Sequence, residues 1–215
     1  MVSDTERSTR SAATRDRILV AAERLFAEHG LFAVSNRQVS EAAGQGNNAA
    51  VGYHFGTKTD LVRAIVTKHA GQIEELRAAA LHEIEGSTDV RDWVTCLVRP
   101  STEHLAALGT PSWYARFNAQ VLTDPTLRVL VYTEASGASP SLAKLVSGLG
   151  KTLDDLPEGI RRARADMGRS LMVHMCAERE LRLAGEGDPD PIGWHDFGTD
   201  LIDAIVGIWT APVTR

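Results

Sequence analysis

Cysteine is scarce in this 215-residue chain. Cys96 and Cys176 stand apart among apolar neighbours, which excludes a disulfide framework and a cysteine-based zinc site and fits a reducing cytoplasm. Long apolar runs are also missing. Arg, Asp or Gly interrupts every segment that approaches the roughly 20 residues a membrane span needs, so no membrane partner is expected. Residues 1–13 hold Ser, Thr, Arg and acids without an apolar stretch, and read as a tail rather than a signal peptide or anchor. Strand signals are nearly absent as well. Catalytic signatures are lacking too: there is no Walker loop, dinucleotide glycine fingerprint, nucleophile elbow or zinc helix.

What is present is helical periodicity. Hydrophobic residues make up 43% of the chain and recur three and four apart almost throughout, which predicts an all-α fold. The formal charge of −5 hides an asymmetry: residues 1–70 carry nine Lys or Arg against seven Asp or Glu, and the remainder is acidic. A nucleic-acid contact therefore belongs to the N-terminal part.

Punctuation divides the chain into a tail (1–13), a head (14–70) and a body (71–215). In the head, a helix from about Thr14 to His29 presents Ile18, Ala21, Ala22, Leu25 and Phe26 on one face and stops at Gly30. Ser35 and Gln38 have capping-box spacing for a second helix, with Val39, Ala42 and Ala43 inward and Gly44 as its end. A short helix over about 47–55 follows, and Thr57 or Thr59 caps a fourth that carries Leu61, Val62 and Ile65 to about Leu81. Two short helices joined by a glycine turn and braced by a third can present one helix to a major groove. Ala49, Ala50 and Gly52 let that helix approach closely. The amides Gln45, Asn47 and Asn48 can read base edges or phosphates, and Tyr53, His54 and Lys58 follow as phosphate contacts. The alternative is a three-helix knot in a small-molecule-binding or enzymatic helical protein.

The wider pattern bears on that choice. Ile18 to Phe26, Gly30, the run Val39-Ser40-Glu41-Ala42-Ala43-Gly44 and the run Tyr53-His54-Phe55-Gly56-Thr57-Lys58 with Asp60-Leu61 resemble the TetR family of bacterial regulators over residues 14–66. The resemblance implies a dimeric, two-domain regulator whose head binds a DNA operator and whose body binds a small molecule that releases it. By matching position it places Ser35 and Arg37 on the DNA backbone, Asn47 and Asn48 at the start of the recognition helix, and Tyr53, His54 and Lys58 on phosphates. There are two departures. One extra residue stands between Gly44 and Phe55, and Gly52 replaces a frequent aromatic, weakening that helix by about 1 kcal/mol relative to Ala.

In the body the expected helices are 89–108, with a kink near Pro100, then 112–122, then 124–153 with a break around 137–140. Two more follow at 157–183 and 194–210, separated by an exposed loop at 185–193. The last helix has two apolar stripes, Phe197, Leu201, Ala204 and Ile208 beside Gly198, Ile202, Ile205, Val206 and Trp209. A helix apolar over most of its circumference is buried on two sides. Leu201, Ile202, Ile205 and Trp209, with Met167 and Leu171 of the preceding helix, are the expected dimer contacts; the alternative is a monomer with a deeply buried last helix. Trp113, Phe117, Met172, His174 and Met175 are the candidate lining for an apolar or aromatic effector, with His174 its polar anchor. His174 and Glu178 have metal-ligand spacing but no second pair, so no metal or cofactor is expected.

Overall fold

The computed structural model describes residues 4–47, 49–129, 139–185 and 192–214, and these are helical and connecting segments without a strand. Helix α1 spans Asp4–His29, α2 Asn36–Ala42, α3 Ala50–Phe55 and α4 Lys58–Glu83. Then come α5 (Val90–Leu108), α6 (Tyr114–Thr123), α7 (Pro140–Thr152), α8 (Glu158–Ala184) and α9 (Trp194–Thr210). Residues 125–129 are helical too, and the Asp124 carboxylate accepts hydrogen bonds from the Thr126 and Leu127 amides at 2.9 and 2.8 Å, the expected start. Among the described residues no helix is long and apolar enough to cross a membrane.

Local chemistry accounts for the boundaries of the head. Ser35 and Gln38 form the capping box of α2, and Thr57 with Asp60 forms a second at the start of α4. Gly30, Gly44 and Gly56 have φ of 95°, 66° and 85°, the left-handed region where a side chain is strained. Two expectations are corrected. The tail assigned to residues 1–13 is helical from Asp4, because no glycine or proline lies between there and Gly30; Glu6 and residues 8–13 are exposed, so hydrophobic periodicity reports only the packed part. Ala42 is exposed, whereas Val39 and Ala43 are buried. Helix α3 is also shorter than expected, beginning at Ala50. Asn48, most of the 185–193 loop and residues 137 and 138 of the expected 137–140 break lie outside the described residues.

Ile18, Phe26, Val34, Val39, Val51, Leu61 and Ile65 are all within 1% of complete burial and tie α1 to α4 together. Helix α5 continues through Pro100 and packs extensively on α9. A Cβ on Gly198 would stand 2.9 Å from the Thr102 hydroxyl, so glycine permits that close crossing. Arg99 then ties the helices by donating to the His195 carbonyl at 2.6 Å and the Thr199 hydroxyl at 2.9 Å.

This packing corrects the expected dimer stripe. Leu201, Ile202, Ile205 and Trp209 are 0 to 7% exposed within their own chain. The last helix is apolar on two sides because α5 and α8 both cover it. Met167 is 58% exposed, and Leu171 is half-buried.

Candidate functional site

On the head, α3 follows α2 across a turn held by local hydrogen bonds. The Gln45 side chain donates to the Ala43 carbonyl at 3.0 Å, and the Asn47 carboxamide oxygen accepts from the Ala49 amide at 2.9 Å. These amides thus shape the turn that precedes α3. Tyr53 is 84% exposed and meets His54 edge-on, the rings 5.0 Å apart. An aromatic side chain so open contributes little to packing. Lys58 is half-buried at the start of α4 with its ammonium 5.7 Å from the centre of the Phe26 ring, and burial lowers its pKa from the ordinary lysine value. Arg37 is exposed and paired with Glu41 at 2.8 Å, a surface contact that a phosphate can displace. The Ser35 hydroxyl is engaged in its capping box.

Head and body meet through a buried polar chain that sequence reasoning missed. His69 of α4 lies between Glu23 of α1 and His104 of α5, with Nε2 2.8 Å from the Glu23 carboxylate and Nδ1 2.8 Å from His104 Nε2. Tyr114 of α6 stacks on His69 at 3.8 Å between centroids. Nearby, Phe26 of α1 stacks on Phe117 of α6 at 6.2 Å. The Gln120 carboxamide donates to the Phe26 carbonyl at 2.8 Å and accepts from the Leu31 amide at 3.0 Å. Helix α4 is therefore not alone in joining the two parts, because α1 also rests on α6. Partners 46 and 35 positions from His69 leave no local pattern by which sequence could find them.

Burial, reinforced by His69, lowers the His104 pKa from 6.5 to about 4. A buried neutral histidine gains its proton more readily in the unfolded chain, so its contribution is complete above about pH 6.5 and is lost as pH falls towards 4. The loss is on the order of 3 kcal/mol. Thermal unfolding between pH 7 and 4 should show this decline, and His104→Gln should flatten it; an equal slope in the variant would remove His104 as the cause.

A cavity of about 700 Å³ lies beneath this junction. Val66, Ala70, Ile73 and Arg77, spaced along one face of α4, form one wall. Leu142, Leu145 and Leu149 of α7 and Met172 and Val173 of α8 face them, and Tyr114 and Trp209 complete the apolar lining. Of the expected ligand residues, only Met172 lines this space. Phe117 is fully buried against Phe26 and Tyr114, His174 is exposed, and Trp113 and Met175 are half-buried off the wall. Aromatic and Met identity marks packing as readily as ligand contact, and does not say which side of a helix faces a cavity. The neglected signal was the spacing 66, 70, 73 and 77.

Next to the lining residues Arg77 and Ser139, Glu74 accepts from the Ser141 amide at 2.8 Å and its hydroxyl at 2.6 Å, and also from the Ser139 hydroxyl. Burial works to raise the Glu74 pKa, but these hydrogen bonds, with Arg77 nearby, hold it below the ordinary carboxylate value. Arg77 is 8% exposed, and burial lowers its pKa. Burial also raises the Cys96 and Cys176 thiols to about 11 and about 12, so neither supplies a thiolate nucleophile at neutral pH.

Residues 18–65 match the family model described as bacterial regulatory proteins, tetR family. No curated protein matches the chain. Among solved structures, the fatty acid degradation regulator FadR from Bacillus halodurans is similar at 17% identity and TM-score 0.61, covering 94% of this chain and 97% of its own. NalD, the secondary repressor of the MexAB-OprM multidrug efflux pump in Pseudomonas aeruginosa, is 20% identical with TM-score 0.55, over 91% of this chain and 96% of its own. The regulator PfmR from Thermus thermophilus is 19% identical with TM-score 0.53, over 88% of this chain and 96% of its own. At such identities the likeness establishes the fold. The tetR-family match thus falls on the head, residues 18–65, and the solved structures share the fold along nearly all of the chain.

Proposed function

We propose that the protein is a cytoplasmic repressor that binds a palindromic operator as a homodimer and releases it when a mainly apolar effector fills the cavity. The observation that carries this reading is α4. One unbroken helix begins with Lys58 on the DNA-facing side and ends its cavity wall at Arg77, about 28 Å further on at 1.5 Å per residue. Ser35, Arg37, Tyr53, His54 and Lys58 serve as backbone contacts, and Gln45, Asn47 and Asn48 precede or begin the recognition helix. Binding at the wall of α4 then changes the angle at which the head is held.

The test is a gel shift with fragments selected from the source genome. Lys58→Ala should weaken binding to all sequences and reduce the salt slope of log K by about one unit per subunit. Unchanged affinity would remove Lys58 from the interface.

The dimer face supported by exposure is the outer side of α8 and α9, carrying Met167, Leu171 and His174 beside Ala204, Gly207 and Ile208. Small residues on α9 allow a second copy to approach closely, and a shared two-fold axis requires half-sites about 34 Å apart or a multiple of that. Met167→Glu should give folded monomers in sedimentation with weak operator binding; a variant still dimeric would exclude this face. Trp209→Glu should instead unfold the chain, since Trp209 is core.

A further inference from the structure

We infer that the effector is an apolar monocarboxylate whose acid group is held by Arg77, an inference that rests on reading the cavity as the effector site. Arg77 lines the cavity, is 8% exposed, and its Nε is buried without a hydrogen-bond partner. Among the described residues its one ion-pair contact is Glu74, at 3.8 Å, outside hydrogen-bond range. A buried guanidinium with unmet donors is unfavourable, so the site is chemically incomplete without an acceptor.

Glu74 cannot be that acceptor, because it is committed elsewhere. Its carboxylate receives the Ser139 and Ser141 groups at the N-terminus of α7, where the helix dipole also favours negative charge. The other arginines on the cavity wall are paired as well: Arg161 with Asp154 at 3.1 Å, Arg162 with Glu158 at 3.0 Å and Arg169 with Asp166 at 2.9 Å. Arg77 alone among these cations lacks a hydrogen-bonded acid.

A carboxylate fits the two-pronged guanidinium fork and carries the single charge that one arginine balances. A dianionic phosphate would bring a second charge that no unpaired cation among the described lining residues balances, and would set it against the Glu74 carboxylate, which already lies 3.8 Å from the guanidinium. The rest of the ligand is hydrocarbon, since Val66, Ile73, Leu145, Leu149 and Val173 offer no hydrogen bonds. An acid on Arg77 also places the ligand's charge directly on α4, the helix that begins at the DNA face.

Titration calorimetry of the full chain with decanoate, 1-decanol and decyl phosphate tests this. Decanoate should bind about tenfold or more tighter than decanol, as a charge-assisted hydrogen-bonded pair requires. Arg77→Met should abolish that preference while decanol affinity is retained, and Arg77→Lys, which keeps the charge, should preserve part of it. If Arg77→Met does not fold, the wild-type comparison and Arg77→Lys decide the matter. Equal affinity for decanoate and decanol, a preference that survives in Arg77→Met, or tighter binding of decyl phosphate than of decanoate would each overturn the carboxylate assignment and leave the effector cavity standing. Binding of none of the three would overturn both.

Discussion

Glu180→Ala should destabilise the protein by about 3 to 5 kcal/mol, the range for removing one partner of a buried ion pair. Glu180 of α8 is 1% exposed, and its carboxylate accepts four hydrogen bonds. These come from the Ser112 hydroxyl at 2.9 Å, the Ala115 and Arg116 amides at 3.1 and 3.0 Å, and the Arg116 Nε at 3.2 Å. Trp113, at the N-cap of α6, provides no side-chain hydrogen bond, so Glu180 acts as the cap from another helix. Its loss leaves two helix amides and the Arg116 Nε without an acceptor, while the Arg116 Nη2 keeps the Ser112 carbonyl at 2.9 Å. Since domains are stable by only about 5 to 15 kcal/mol, the fall in the urea midpoint should be large. A change below about 1 kcal/mol would mean that water replaces the carboxylate, contrary to the burial of the site.

Phe117→Ala should cost about 3 to 5 kcal/mol by opening a void in a fully packed position. Its second effect separates packing from ligand contact. Phe117 joins α6 to α1 through Phe26 and does not line the cavity, so ligand affinity should persist while ligand-driven release from DNA declines. Had Phe117 been a ligand contact, as its aromatic character suggests, binding itself would be lost. Calorimetry and a gel shift on the same variant, at a temperature where circular dichroism shows it folded, tell these outcomes apart.

Those two residues also mark where sequence stops being informative. Caps, glycine stops and hydrophobic spacing are local, and they located α2, the start of α4 to within two residues and both ends of α9. The helix-turn-helix was legible because its signals fall within a few residues of one another, although Thr57 and Thr59 offered equal caps for α4 until the Thr57–Asp60 box decided between them. Pairings across the fold left no such trace. Glu180 reads as one more acid on an exposed-looking helix until α6 is laid beside it, and Arg77 reads as a surface arginine until α7 covers it. The amphipathic pattern of α9 gave the extent of its burial correctly but not the identity of its neighbours, which are α5 and α8 of the same chain. Residues 4–13 failed in the opposite sense: Glu6 and residues 8–13 are exposed, and an exposed stretch of helix offers no apolar period to detect.

The central claim is that occupancy of the cavity and occupancy of DNA oppose each other through α4 and the α1–α6 contact. Compounds that raise the thermal midpoint of the free protein should therefore weaken operator binding by about 5- to 150-fold, the usual range of coupling between sites. The operator must weaken their binding by the same factor. Measuring operator affinity by gel shift with and without each stabilising compound tests this directly. Reciprocal weakening is the expected result; operator affinity unchanged by every compound that stabilises the protein would contradict this coupling and leave a regulator that does not respond to ligand.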